Sequence, residues 1–306
     1  MSGTGFQRFF DDVRGLHAHP FFAKTGLSND LLQGEVFPAI RENEVHFYYG
    51  GARLCVYKDG EMHSNNRYLD IPDNGSSRDV RIPSDRYSQY RAIKNRCREY
   101  RSPNKELSIV SSLFSQFSIA ASGLSADRAR LLDIECRFPG APAEPAVAKS
   151  KTQDMIDCLF MTPRGTLVFV EVKRADNVEA RSSGQRAAVV DQLERYRLQL
   201  GSEALRRKIK NAYADAIKDL SLCLEQEDLP KIFTPKAVFE RVPLLIVGPT
   251  VSSPYSKEIW QRDLLAAPRS LESDIIGLDG RDESMTTALD EFFRFLDGNG
   301  TETASQ

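Results

Sequence analysis

The sequence is short of several things, and each shortage removes a class of function. It has only four histidines, too few for a His-rich metal centre or a set of His-based catalytic groups. Its five cysteines (Cys55, Cys97, Cys136, Cys158, Cys223) form no CxxC pair and no even-numbered framework. Free thiols in a reducing cytoplasm are therefore expected, and a structural zinc is not. No apolar run approaches the ~18 residues of a membrane span, and Met1 to Phe10 lacks the basic, apolar, then small-residue order of a secretory signal. Neither charge is in surplus: 41 Lys plus Arg stand against 43 Asp plus Glu, a net of −2. That excludes a protein coating nucleic acid by bulk charge and leaves room for a local basic groove. Neither GxxxxGK[ST] nor GxGxxG occurs, so nucleotide binding through such loops has no support. No solenoid or propeller period is visible.

What is present reads as an ordinary globular chain of 306 residues, 41% hydrophobic and 27% charged, enough for one large domain or two modest ones. Residues 1 to about 40 mix aromatics with Gly and Pro and predict one short helix. From Val45 the pattern is β-like, with Asp59-Gly60 as a hairpin turn. Residues 70 to 84 are dense in turn formers and read as a linker. A helical stretch starts near Ser84, pauses around Ser102-Pro103-Asn104 and resumes, with Leu107, Val110, Leu113, Phe114 and Phe117 on one face. A strand (ARLLDIECRF) and a Pro/Ala-rich loop over 139–148 follow. Two strands, DMIDCLFM and TLVFVEVKR, are joined by a turn at Thr162–Gly165. After Gly184 come two helices, QRAAVVDQLERYRLQL and about 203–226. VPLLIVGP then has the continuous apolar character of a strand buried on both faces. An amphipathic helix at about 283–297 closes the pattern. The core order is helix, three strands, helix, strand.

The chemistry concentrates in the two joined strands. In TLVFVEVKR, Leu167, Phe169, Glu171 and Lys173 share one face, and Val168, Val170 and Val172 the other. Counting outward from the turn places Asp157 of the partner strand opposite about residue 171. Two carboxylates and an ammonium thus converge at one end of an apolar hairpin, where unpaired burial costs several kcal/mol each, roughly. Mutual pairing or a metal ion must compensate, and paired carboxylates are a usual seat of Mg²⁺. A bland reading stays open: a surface ion pair, a satisfied turn-edge acid and an ordinary helix face.

Asp157 followed after thirteen residues by Glu171-Val172-Lys173 resembles the signature of the PD-(D/E)xK nuclease superfamily. Gln192 and Tyr196, four apart on one helical face, are similar to the QxxxY motif of its RecB-like branch. The resemblance spans about residues 104 to 250; it departs from the pattern at Ile156, where proline is usual. It implies an α/β fold with a restriction-endonuclease-like core (αβββαβ, mixed sheet flanked by helices) and Mg²⁺-dependent phosphodiester hydrolysis, with Mn²⁺ able to substitute. Asp157 and Glu171 would hold the metal, with the Val172 carbonyl as a further ligand. Lys173 would orient or activate the attacking water, and Gln192 and Tyr196 would brace Lys173 or touch the nucleic-acid backbone. A helix glutamate would complete the site, Glu106 ahead of Glu99. DNA is favoured over RNA only by family habit.

Between Arg78 and Arg101 eight basic residues face three acids, with tyrosines interleaved. Arg86, Arg91, Lys94, Arg96, Arg98 and Arg101 are therefore candidates for binding nucleic acid, against a solvated helix as the alternative. A second cluster at Arg206, Arg207, Lys208 and Lys210 reads the same way. His17 and His19 beside Phe21 and Phe22 read as packed side chains, as do His46 and His63. The expected organisation is a β-containing segment 1–83 that recognises DNA, a partner or a second copy, a nuclease-like core 84–297, and a frayed tail 298–306. Two rivals stand beside the nuclease: an inactive module of the same fold for binding or assembly, and an RNA-cleaving toxin or defence effector.

Overall fold

The computed structural model describes residues 6–72, 76–100, 105–123, 125–137, 155–175, 177–180, 187–247, 275–278 and 282–299. Arg101, the loop 139–148, Gly184 and most of the expected tail lie outside them.

The first 40 residues hold three short helices rather than one: α1 (Val13–Ala18), α2 (Pro20–Lys24) and α3 (Leu27–Leu32). His19 explains the first break. Its backbone is extended (φ −68, ψ 123) and its ring Nδ1 accepts from the Phe21 N–H, so α2 starts afresh with Pro20 in its first turn. Leu16, Phe21, Phe22, Leu27 and Leu31 are all buried, and burying each such side chain contributes about 1.5–3 kcal/mol.

A five-stranded antiparallel sheet follows in simple order: β1 (Phe37–Ile40), β2 (Val45–Tyr49), β3 (Ala52–Lys58), β4 (Glu61–Asn65) and β5 (Asp79–Arg81). Two tight turns build it, each with both central residues at positive φ: Gly50 (57) and Gly51 (88), then Asp59 (52) and Gly60 (76). That geometry matches strand twist. Gly51 is also required by space, because a Cβ there would sit 3.1 Å from the Ser108 backbone. The segment read as a linker contributes β5, which Asn66 steadies by accepting from the Arg78 N–H through Oδ1.

After a 3-10 turn (Ser84–Gln89), helix α4 (Tyr90–Glu99) packs Tyr90, Ile93 and Cys97 into the same apolar cluster as Leu54, Cys55 and Ile82. The core therefore crosses residue 83 without a break. The next helical stretch is divided at Leu113 into α5 (Lys105–Ser112) and α6 (Phe114–Phe117).

The second sheet runs β11-β10-β8-β7-β6, with β9 also beside β8. Its strands are β6 (Arg130–Arg137), β7 (Met155–Met161), β8 (Thr166–Arg174), β9 (Ala237–Val238), β10 (Leu244–Val247) and β11 (Ile275–Leu278). Strands β6, β7 and β8 are antiparallel neighbours, whereas β9 and β10 run parallel to β8 and β11 runs parallel to β10. The protein is thus mixed α/β, with one antiparallel and one mixed sheet. Between β8 and β9 lie α7 (Ala188–Leu200), α8 (Glu203–Cys223) and α9 (Leu229–Ile232), and α10 (Asp282–Asn299) extends past the expected end at 297.

Strand β8 is buried on both faces. Leu167 and Phe169 join the cluster containing α7 and α8, while Val168, Val170 and Val172 join the one containing α5, α6 and α10. The two sheets are tied at Asp133 of β6. Its carboxylate accepts from Arg8 (3.1 Å), from the Tyr213 hydroxyl (2.6 Å) and from Arg41. Burial alone would raise the Asp133 pKa, but Arg41 and Arg8 outweigh it and hold the acid ionised. All five cysteines are buried free thiols. Among the described residues no helix is long and apolar enough to cross a membrane.

Candidate active site

The site grows from the point where β7 and β8 part. Their ladder runs from Met161 opposite Leu167 to Cys158 opposite Val170. Beyond it the other edge of β8 pairs with β10, from Leu244 opposite Glu171 to Val247 opposite Arg174. Asp157 is the first β7 residue past the ladder, at the height the turn count predicted. The Val172 N–H, left without a β7 carbonyl, donates to Asp157 Oδ2 at 2.8 Å. Side-chain alternation in β7 also breaks here, since Ile156 and Cys158 lie in opposite clusters. Across β6 the matching residue, Glu135 between Ile134 and Cys136, has φ 51. This paired irregularity releases Asp157 from the strict in-out pattern.

Glu171 is 1% exposed. Its Oε1 accepts from Lys173 Nζ at 2.9 Å, and its Oε2 is buried without a hydrogen-bond partner among the described residues. Burial pushes the Glu171 pKa up to about 7; Lys173 opposes that, and Glu106 and Glu179 add to it. Asp157 is also raised, first by burial and then by the Glu171 charge. For Lys173 burial acts downward, but Glu171, Asp157 and Glu106 outweigh it, so its ammonium is held firmly.

Helix α5 lies over β8 and brings Glu106 to 3.7 Å from Lys173 Nζ. The amide of Asn177 donates to the other Glu106 oxygen. Glu179, on the 3-10 turn Val178–Ala180, reaches Lys173 Nζ at 3.1 Å. The sequence reading missed Asn177 and Glu179. The available signal was proximity: they are the polar residues four and six places past Lys173, where the chain must fold back. Four acids thus surround one lysine, an excess of negative charge that favours a cation. Among the described residues, however, no group of three His, Cys, Asp or Glu side chains is placed to hold a metal ion.

Gln192 and Tyr196 do share a face of α7, but they serve β7. Gln192 Nε2 donates to the Tyr196 hydroxyl (2.5 Å), which donates to the Met155 carbonyl (2.9 Å). Met155 is two residues before Asp157, so this pair supports the strand that carries the acid.

The proposed nucleic-acid residues divide. Lys94 is buried between Asp30 and Glu35 (2.8 Å to the latter) and lies 4.4 Å over the Tyr49 ring. It is neutralised inside the protein, which leaves it unsuited to a phosphate. Arg96 donates to the Tyr68 carbonyl at 2.9 Å, and Arg86 to Gln89 at 3.1 Å. Arg91 and Arg98 are exposed and, seven apart, share the outer face of α4. Glu99 is exposed at the end of α4. In the second cluster Arg206 pairs with Glu240 at 3.0 Å. His17 stacks on Phe22 and His19 packs against Tyr57 and Tyr87, as packed side chains should. No protein-family model, curated protein or solved structure matches this chain.

Proposed function

We propose that the protein is a Mg²⁺-dependent phosphodiesterase acting on nucleic acid, DNA before RNA, on a restriction-endonuclease-like core. One observation carries the reading: Asp157 and Glu171 meet at the mouth of a buried hairpin beside Lys173, and Glu171 Oε2 has no partner among the described residues. A buried carboxylate oxygen without a partner costs several kcal/mol, roughly, and a divalent ion would relieve it. Two carboxylates fit Mg²⁺, which keeps several waters and shares its shell with substrate phosphate. When bound, the ion supplies Lewis-acid polarisation and neutralises charge on the phosphate. Asp157 and Glu171 hold that position, the Val172 N–H fixes the Asp157 carboxylate, and Tyr196 steadies the strand through Met155. Lys173 directs an N–H at the attacking water or at the developing negative charge. The element order α5, α6, β6, β7, β8, α7, α8, α9, β9, β10 supports this reading, since it contains a helix, three strands, a helix and a strand in sequence. A cytoplasmic protein and association with a second copy or a protein partner accompany this reading.

The second reading is an inactive module for binding or assembly. The absence of a three-acid metal group among the described residues and the full pairing of Lys173 favour it. Incubating the protein with DNA and RNA, with and without Mg²⁺, separates the two. The nuclease reading expects cleavage that needs Mg²⁺ and falls about 10²–10⁴-fold in Lys173→Met under single-turnover conditions. Cleavage by Lys173→Met at the wild-type rate would sink it.

A further inference from the structure

Lys173 Nζ has three protons to place. Glu171 takes one at 2.9 Å and Glu179 another at 3.1 Å, while Glu106 stands at 3.7 Å. These carboxylates differ in one respect that matters for access. The side chains of Lys173, Glu171 and Glu106 are 7%, 2% and 14% exposed, whereas that of Glu179 is 53% exposed. Glu171 is fixed in β8 and Glu106 is held by the Asn177 amide. Glu179 sits on a single 3-10 turn, whose start is tied by Asn177 Oδ1 accepting from the Glu179 N–H at 2.9 Å. Its backbone is thus anchored while its carboxylate reaches in from the solvent side.

We infer that Glu179 is a displaceable internal ligand of Lys173, holding the place that an anionic substrate oxygen takes on entry. The inference rests on the nuclease reading for the identity of that substrate, but the contact itself does not. Among the described partners of the ammonium Glu179 alone is half-exposed, so its place is the one open to an incoming phosphodiester oxygen. A carboxylate there repels the substrate until it swings out, and meanwhile occupies one N–H of Lys173. Glu179 therefore sets substrate affinity rather than the chemical step. The carboxylate end of the pair is half-exposed, so it can turn out into water when an anionic oxygen takes its place, as a reversible cover requires.

Glu179→Ala in the full chain tests this, since an exposed side chain on a short turn is replaced without loss of core. Two readouts are needed. The first is the rate at which trinitrobenzenesulfonate, an anionic amine reagent, modifies Lys173, followed by peptide mass spectrometry. The second is KM and kcat for Mg²⁺-dependent cleavage of a DNA oligonucleotide. The expected result is faster labelling of Lys173 and a KM about threefold lower, the scale of an exposed ion pair, with kcat within twofold of wild type. Unchanged labelling overturns the inference. So does a fall in kcat, which would make Glu179 part of the chemistry, or an unchanged KM in a protein that cleaves. If neither protein cleaves DNA or RNA, the nuclease reading fails, and the labelling ratio alone decides whether Glu179 covers Lys173.

Discussion

The backbone N–H of Val172 donates to Asp157 Oδ2 at 2.8 Å, so a side chain takes over where the β7–β8 ladder ends. That bond lets one residue complete the sheet's hydrogen bonding and point a charge toward Glu171.

The two jobs of Asp157 separate by substitution. Asp157→Asn keeps an acceptor for Val172 and removes a charge from beside Glu171, so its metal-free stability should match or exceed wild type. Asp157→Ala leaves the N–H unpaired and should lose about 1–2 kcal/mol in urea unfolding. Both should abolish Mg²⁺- or Mn²⁺-induced thermal stabilisation.

Tyr196→Phe removes the donor to the Met155 carbonyl and should cost about 1 kcal/mol. Met155 lies two residues from Asp157, so Mn²⁺ affinity, read by electron paramagnetic resonance titration, should weaken as well. An unchanged Mn²⁺ affinity would make the Gln192–Tyr196 pair a packing feature only.

Asp133→Asn leaves the guanidinium groups of Arg8 and Arg41 buried without their counter-charge. Breaking a buried network from one side should cost about 3–5 kcal/mol, measurable as a drop in the urea midpoint at constant slope.

His46 supplies a pH dependence. Burial lowers its pKa to about 4; Arg41 and Arg53 act the same way, and the hydrogen bond to Glu44 opposes them. The folded imidazole therefore stays neutral while the unfolded one protonates near its ordinary value of ~6.5. Stability from this residue is unaffected above that value and is lost as pH falls toward 4. Relative to wild type, His46→Gln should gain about 1–2 kcal/mol between pH 7.5 and pH 5, tracked by chemical denaturation at both values.

The central trio was legible because strand periodicity and a tight turn are arithmetic. A period of two fixes which side chains share a face, and the Thr162–Gly165 turn fixes which residues stand opposite. Glu106 was legible only through the resemblance, which implies a helix glutamate at such a site. Glu179 and Asn177 were not, since a turn after a strand has no period to count. Lys94 shows a different loss. Its basic run looked like a phosphate-binding face, but its partners Asp30 and Glu35 lie about sixty residues earlier and nothing local announces them. The boundary at residue 83 was drawn on turn-forming composition. The core crosses it because Tyr90, Ile93 and Cys97 pack with strand residues from far upstream. Strand β9 is only two residues long and leaves no pattern to read.

The tie between Arg8 and Asp133 spans 125 positions of chain, and the one between Phe10 and Asp219 spans 209. Such distant closures are slow to find, because the entropy of bringing far-apart segments together is lost before any contact rewards it. During synthesis the opening segment can settle early on the first sheet, through contacts such as Phe10 on Tyr57 and Phe22 on Phe47, but the Phe10–Asp219 tie closes only after the long helix of residues 203–223 leaves the ribosome.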